Sequence, residues 1–303
     1  MTTLDIRRGV ADANGLQIAY EEMGDLTAPP AVLIMGFSAQ LTHWPIEFCQ
    51  LLVDGGYRVI RFDNRDIGLS SKFDGVPVEG SKWTRIARQQ LGLASPVPYT
   101  LIDMAEDVVG LLDDLGIGSA HVVGASMGGM IAQIFSAEHP ERVRSLGIVF
   151  SSTNQPLLAP PSPSAVRSLI ASPGKNPTRE QVIETIVKFS MVIDSPKYPR
   201  SEDALREIAT ENYDRNYYPA GLIRQLAAAT GTGSLLPYSR RIDKPTVVIH
   251  GSADPLLRPA NGKAVANAIK DAQLHIIDGM GHNLPPQLLP RLSKLLLDNF
   301  ARV

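Results

Sequence analysis

A chain of 303 residues with 44% hydrophobic and 20% charged side chains carries enough apolar material for a large core. Its net charge of −2, with no long basic run, argues against nucleic acid or an anionic membrane as a partner. One cysteine excludes an internal disulfide; no apolar stretch reaches membrane-spanning length and the N-terminus lacks a signal-peptide core, so a cytoplasmic location is expected.

The first predicted element is a hairpin. Ile6–Val10 and Leu16–Tyr20 flank Asn14-Gly15, a pair suited to a two-residue turn, and Leu16, Ile18 and Tyr20 alternate. Ala31–Met35 is a continuous apolar run that stops at Gly36, and Tyr57–Phe62 is another that stops at Asp63. Such runs suit strands buried on both faces of a parallel sheet. Cys49, between them, reads as a small buried hydrophobe on a helix. Ser71–Pro98 is irregular and predicts a long surface loop with one short helix. Leu101, Met104, Ala105, Val108, Leu111 and Leu112 recur at helical spacing, and Gly116 is the stop.

The most informative segment follows. His121-Val122-Val123 is a short apolar run leading into Gly124-Ala125-Ser126-Met127-Gly128, and helical spacing resumes at Met130, Ile131, Ile134 and Phe135. A serine between two glycines at a strand-to-helix turn forms a nucleophile elbow, in which residues two before and two after the serine must be tiny. Glycine meets that need because it has no Cβ and tolerates positive φ. Gly129 adds room for the helix to pack closely on the sheet. The pentapeptide alone is only moderately specific; its strand-before, helix-after setting sharpens it.

Val143–Phe150 contains the next strand, and the alternation then breaks. From 152 to 240 lie ten of the 23 prolines and five of the eight tyrosines, with no buried-strand run. Helices are predicted at about 178–192, 201–217 and 219–230, the first opened by the capping-box spacing Thr178-x-x-Gln181. This stretch reads as a helical cap inserted into a core formed by 1–151 and 241–303. Thr246–His250 and Leu274–Ile277 restore the strand pattern, and Leu288–Phe300 makes the last helix. The succession is βαβ with an antiparallel start.

A serine hydroxyl needs a base, and the base needs a carboxylate to fix its tautomer. His282, in Gly279-Met-Gly-His282 just past the last predicted strand, is the candidate base. His121, His250 and His275 fall within strands and read as core or sheet-face residues; His139 ends a helix, and His43 follows the first core strand. Asp254, in Gly251-Ser-Ala-Asp254-Pro255 after the strand Thr246–His250, is the candidate acid, since catalytic groups gather at the carboxyl edge of parallel sheets. Asp278 is the second choice, and Asp243 lies at the wrong end of its strand. Acyl attack also needs two N–H donors for the oxyanion. The backbone N–H groups of Met127 and Phe37 are the candidates, with the side chains of Phe37 and Trp44 offered as pocket lining.

Together, Met35-Gly-Phe-Ser38, Asp63-Asn-Arg-Asp-Ile-Gly-Leu-Ser70, Gly124–Gly128, Gly251–Asp254 and Gly279–His282 resemble the motifs of the α/β-hydrolase superfamily, over roughly 15–150 and 240–302. The resemblance implies an α/β fold, a mostly parallel sheet flanked by helices with an inserted cap. It also implies Ser126 as nucleophile, Asp254 as acid and His282 as base. Asp66 stands where the family's D-x-R-G-x-G-x-S turn usually has glycine, and Met35 replaces the usual histidine before Gly36. The run Ile34–Gln40, with Trp44-Pro45 and Arg61–Asp66, is similar to the aclacinomycin methylesterase branch and its carboxylesterase relatives. That likeness implies hydrolysis of a methyl or other small ester, with a small-molecule ester as partner and neither metal nor organic cofactor. Lactone, thioester, amide and carbon–carbon cleavage and perhydrolysis share the same triad. An iminopeptidase-like aminopeptidase would need acidic cap residues, for which Glu202, Asp203, Glu207 and Glu211 are the candidates. A non-enzymatic receptor on this fold is the remaining class, and the sequence leaves the oligomeric state open.

Overall fold

A computed structural model describes residues 4–303. Eight strands form one sheet: β1 (Ile6–Ala13), β2 (Leu16–Met23), β3 (Pro30–Ile34), β4 (Arg58–Phe62), β5 (Ala120–Ala125), β6 (Val143–Val149), β7 (Thr246–Gly251) and β8 (Gln273–Ile277). Their spatial order is β1-β2-β4-β3-β5-β6-β7-β8. β1 and β2 pair antiparallel through Ala13↔Leu16, and β2 meets β4 antiparallel. All later pairs are parallel. The hairpin turn has φ of 52° at Asn14 and 74° at Gly15, which a two-residue primed turn requires.

The helices are α1 (Ile46–Asp54), α2 (Lys82–Gln90), α3 (Leu101–Asp114), α4 (Met127–Glu138), α5 (Pro163–Leu169), α6 (Arg179–Ile193), α7 (Glu202–Arg215), α8 (Pro219–Gly231), α9 (Leu236–Ser239), α10 (Pro259–Ala268) and α11 (Leu289–Phe300). The strand period of two splits the core. Val32 and Ile34 of β3 face α3, α4 and α10, whereas Ala31 and Leu33 face α1 and α11. This explains the continuous apolar runs, because every residue of β5 and of β7 is buried. Cys49 is fully buried on α1, and burial pushes its thiol up to about 12, which leaves it inert.

Helices α5 to α9 all lie between β6 and β7. α6 starts with the Thr178/Gln181 capping box, and Ile183 and Val187 pack with Leu205 and Ala209 of α7 in a small core of their own. The irregular stretch before α3 holds the single helix α2, and Thr100 with Asp103 makes a capping box that opens α3. No helix among the described residues is long and apolar enough to cross a membrane.

Candidate active site

β5 ends at Ala125 and α4 begins at Met127, so the whole reversal falls on Ser126. Its φ and ψ of 55° and −122° are strained for a side chain with a Cβ, at a cost of roughly 1–3 kcal/mol. Surrounding contacts enforce the strain. The Ser126 N–H donates to the Val149 carbonyl (3.0 Å) and the Ser151 hydroxyl to the Ser126 carbonyl (2.7 Å). A Cβ on Gly124 would sit 2.3 Å from the Gly128 carbonyl oxygen, and one on Gly128 would sit 2.0 Å from that of Ile34. Neither glycine has positive φ, so space is what excludes larger residues here, and Ser126 itself takes the left-handed backbone. Ser38 and Phe150, just past β3 and β6, also have positive φ, 59° and 35°. Strained non-glycine residues thus gather at the carboxyl ends of three adjacent strands, a pattern typical of functional sites.

The loops after β7 and β8 bring two more side chains to this edge. The Ser126 hydroxyl lies 2.9 Å from His282 Nε2, and His282 Nδ1 lies 2.7 Å from Asp254 Oδ2. The other Asp254 oxygen accepts from the N–H groups of Leu256 (2.8 Å) and Leu257 (2.9 Å), which fixes the carboxylate plane. Burial alone would raise the Asp254 carboxyl; the His282 ring and hydrogen bonding from His250 and His282 hold it down at about 2. An ionised carboxylate at Nδ1 selects the tautomer whose Nε2 can accept the serine proton.

The remaining expectations divide. Asp278 is exposed, ion-paired with Lys197 and bonded to Ser252, and Asp243 is exposed before β7. The N–H groups of Phe37 and Met127 have no hydrogen-bond partner among the described residues. The Phe37 side chain is half-buried and packs on the cluster containing Met127 and Met130. Trp44 does not line a pocket. It is fully buried, stacked on Phe48 at 5.5 Å in the core under the strand ends, so it is a packing residue. Glu202, Asp203, Glu207 and Glu211 lie on the solvent-exposed side of α7, where Glu202 pairs with Arg206. Among the other histidines, His121 bonds to Ser145 (2.8 Å) and is stacked on Phe300, with burial lowering its pKa to about 4. His139 pairs with Glu106 at 2.8 Å. A cavity of about 370 Å³ between α6, α7 and the Asp254 loop is lined by Asp194, Arg200 and Pro255 but not by Ser126.

A family model described as alpha/beta hydrolase fold matches residues 29–286. The chain belongs to the α/β-hydrolase family. Rhodomycin D methylesterase of Streptomyces peucetius is 27% identical over 300 residues, covering 88% of each protein. A 2-hydroxy-6-oxononadienedioate/2-hydroxy-6-oxononatrienedioate hydrolase of Burkholderia vietnamiensis is 26% identical, over 97% of this hydrolase and 94% of its own length. Among solved structures, an enol-lactonase from Burkholderia xenovorans matches with a TM-score of 0.72 at 21% identity, over 97% of this chain and all (100%) of that one, and so shares the fold.

Several residues of this hydrolase's site carry no local sequence signal. Phe150 packs its ring 4.6 Å from that of His282. His250, read as a core strand residue, donates from Nε2 to the Leu257 carbonyl (2.6 Å) and lies 3.4 Å from Asp254 Oδ2. The end of α6 and the segment after it clamp the His282 loop: the Ile193 carbonyl accepts from the His282 N–H (2.8 Å), and the Ser195 hydroxyl accepts from the Gly281 N–H (2.8 Å) and donates to Asn283 (2.5 Å).

The turn after β4 grips helices α7 and α8. Asp66, at the usual glycine position, keeps the left-handed backbone with φ of 68°. Its buried carboxylate receives both Nε (2.7 Å) and Nη2 (2.9 Å) of Arg224 on α8, the Tyr99 hydroxyl (2.7 Å) and the Phe73 N–H (2.9 Å). Against the effect of burial, these bonds, Arg224's first, lower the Asp66 pKa. Arg215 of α7 reaches the fully buried Asp63 at 2.8 Å. Arg224→Met would strand the Asp66 carboxylate in a dry site and is expected to cost about 3–5 kcal/mol in urea melts at neutral pH. The sign with pH follows from the lowered pKa. The pair stabilises the fold fully above the unfolded carboxyl value and less as pH falls, and protonation relieves the variant's stranded carboxyl, so the gap between wild type and variant should narrow as pH is lowered from neutral.

Proposed function

We propose that this hydrolase is a serine carboxylesterase that cleaves small carboxylic esters, methyl esters among them, through an acyl-enzyme. The observation that carries the reading is the unbroken relay from Ser126 Oγ to His282 (2.9 Å) to Asp254 (2.7 Å) at a strained elbow. Ser126 attacks the ester carbonyl as His282 takes its proton. Asp254 stabilises the imidazolium that forms. The Phe37 and Met127 N–H groups receive the oxyanion, aided by the N-terminus of α4. His282 then protonates the departing alkoxide as the tetrahedral intermediate collapses. Water, deprotonated by the same histidine, releases the acid and restores the serine. The similarity to a rhodomycin D methylesterase supports the methyl-ester arm of this reading. The solvent-facing position of the α7 acids speaks against a site for a substrate ammonium.

The test is a panel of p-nitrophenyl esters of increasing acyl length and simple methyl esters, run beside aminoacyl p-nitroanilides. Turnover with an optimum at short acyl chains is expected, with anilides inert. Turnover of anilides alone would overturn the proposal.

A further inference from the structure

The loop that carries Phe37 is held from both sides. At its start, the Asn64 side chain donates to the Met35 carbonyl (2.8 Å), and the Gly36 carbonyl accepts from the Ala39 N–H (3.4 Å). At its end, the Ser38 N–H donates to the Gln225 side-chain carbonyl (3.1 Å). Gln225 is fully buried on α8, and its amide nitrogen donates to the Arg65 carbonyl (2.8 Å). One carboxamide therefore meets one donor and one acceptor, which fixes its orientation. Arg224 beside it grips Asp66, so two consecutive α8 residues hold the 64–66 turn that also holds the Met35 carbonyl. The loop leans directly on the nucleophile, since a Cβ on Gly36 would lie 2.8 Å from Ser126 Cβ. Ser38 is left-handed, with φ of 59°, at the third position of the turn closed by the Ala39 N–H, and its own N–H is held by Gln225.

We infer that Gln225, supplied by the cap, is a positioning residue for the oxyanion loop: by occupying the Ser38 N–H it locks the Phe37–Ser38 peptide and leaves the Phe37 N–H as the donor facing Ser126. The inference rests on the esterase reading above, in which Phe37 is an oxyanion donor. It makes the cap part of the transition-state machinery as well as a cover for the substrate. Preorganised donors act only when their direction is fixed before charge develops, so loosening the loop should weaken transition-state binding more than substrate binding.

Gln225→Met keeps the side-chain volume and removes both bonds. The control is Thr232→Val, which deletes a different cap-to-core bond, from the Leu101 N–H to Thr232 Oγ1 (2.9 Å), away from the elbow. With the best ester of the panel, Gln225→Met should lower kcat about 10–100-fold with KM changed less than about threefold. Its affinity for an aryl trifluoromethyl ketone, which forms an anionic hemiketal on the serine, should weaken by a similar factor. Thr232→Val should keep wild-type kcat at a comparable change in Tm. Gln225→Glu supplies a second arm, because its protonated carboxyl offers the same donor and acceptor. Its kcat relative to wild type should rise as pH is lowered from 8 to 5.5. The inference is overturned if Gln225→Met matches Thr232→Val in kcat and ketone affinity. If Gln225→Met does not fold, a pH-independent Gln225→Glu ratio overturns it. Retained turnover in Ser126→Ala would instead sink the esterase reading itself, which keeps the two failures apart.

Discussion

Ester turnover by the Ser126→Ala variant is expected to fall by about 10⁵–10⁶-fold in kcat, with little change in KM or Tm. Removal of a serine nucleophile from a working triad produces losses of that order, leaving only oxyanion binding and orientation. The fold should be untouched. Among the described residues the Ser126 hydroxyl bonds only to His282, and alanine keeps the Cβ that the elbow already accommodates. The bonds that hold the turn run through the Ser126 backbone N–H and carbonyl, which the substitution retains. The measurement is steady-state hydrolysis with a purified variant whose circular dichroism and melting curve match wild type. A loss of only a few fold would mean that another group performs the attack.

The Asp254→Asn variant should lose about 10⁴-fold in kcat at neutral pH, and the reason lies in the carboxylate's other oxygen. Oδ1 accepts two backbone N–H groups, from Leu256 and Leu257. An asparagine must put its carbonyl oxygen there, so its NH₂ group faces His282 Nδ1. The imidazole is then driven to the tautomer with its proton on Nε2, which cannot accept a proton from Ser126. A buried charge is removed at the same time, which changes the acid limb of stability. Asp254 is held at about 2 in the folded protein, below the ordinary 3.8. Its contribution is therefore full above pH 4 and lost as pH falls toward 2, and the variant should lack that component. Kinetics at pH 7.5 and acid-unfolding curves of both proteins check the two halves. An Asp254→Asn enzyme with near-normal kcat would show that the tautomer is set elsewhere.

How much of this was legible in the sequence depends on whether the signal was local. The strand–Gly-x-Ser-x-Gly–helix succession and the glycine-flanked Asp254 and His282 loops placed the three side chains at one sheet edge, and in the structure they lie within hydrogen-bonding distance of one another. The periods of two and of three to four located the strands and long helices, because burial on a regular element leaves a regular trace. Short elements left weaker traces: α5 and α9, with seven and four residues, fell within proline-rich sequence and were not anticipated.

Trp44 illustrates the opposite error. An aromatic residue near a strand end reads equally well as pocket or core, and only its contact with Phe48 decides for core. The contacts of Gln225, Arg224, Asp66, Phe150 and His250 depend on tertiary approach. Gln225 meets Ser38 across 187 positions and Arg224 meets Asp66 across 158, separations at which no spacing rule operates. Asp66 did leave a mark, as a departure from the family turn. Its meaning became readable only with Arg224 opposite it: the acid trades the conformational ease of glycine for a buried ion pair that ties α8 to the turn after β4.

Organophosphate labelling followed by intact-mass and peptide analysis tests the central claim most directly. The account predicts one adduct per chain, on Ser126, formed in step with loss of esterase activity, absent from Ser126→Ala and slowed in Asp254→Asn. Full inactivation with Ser126 unmodified, or an adduct on another residue that tracks the loss, would contradict it.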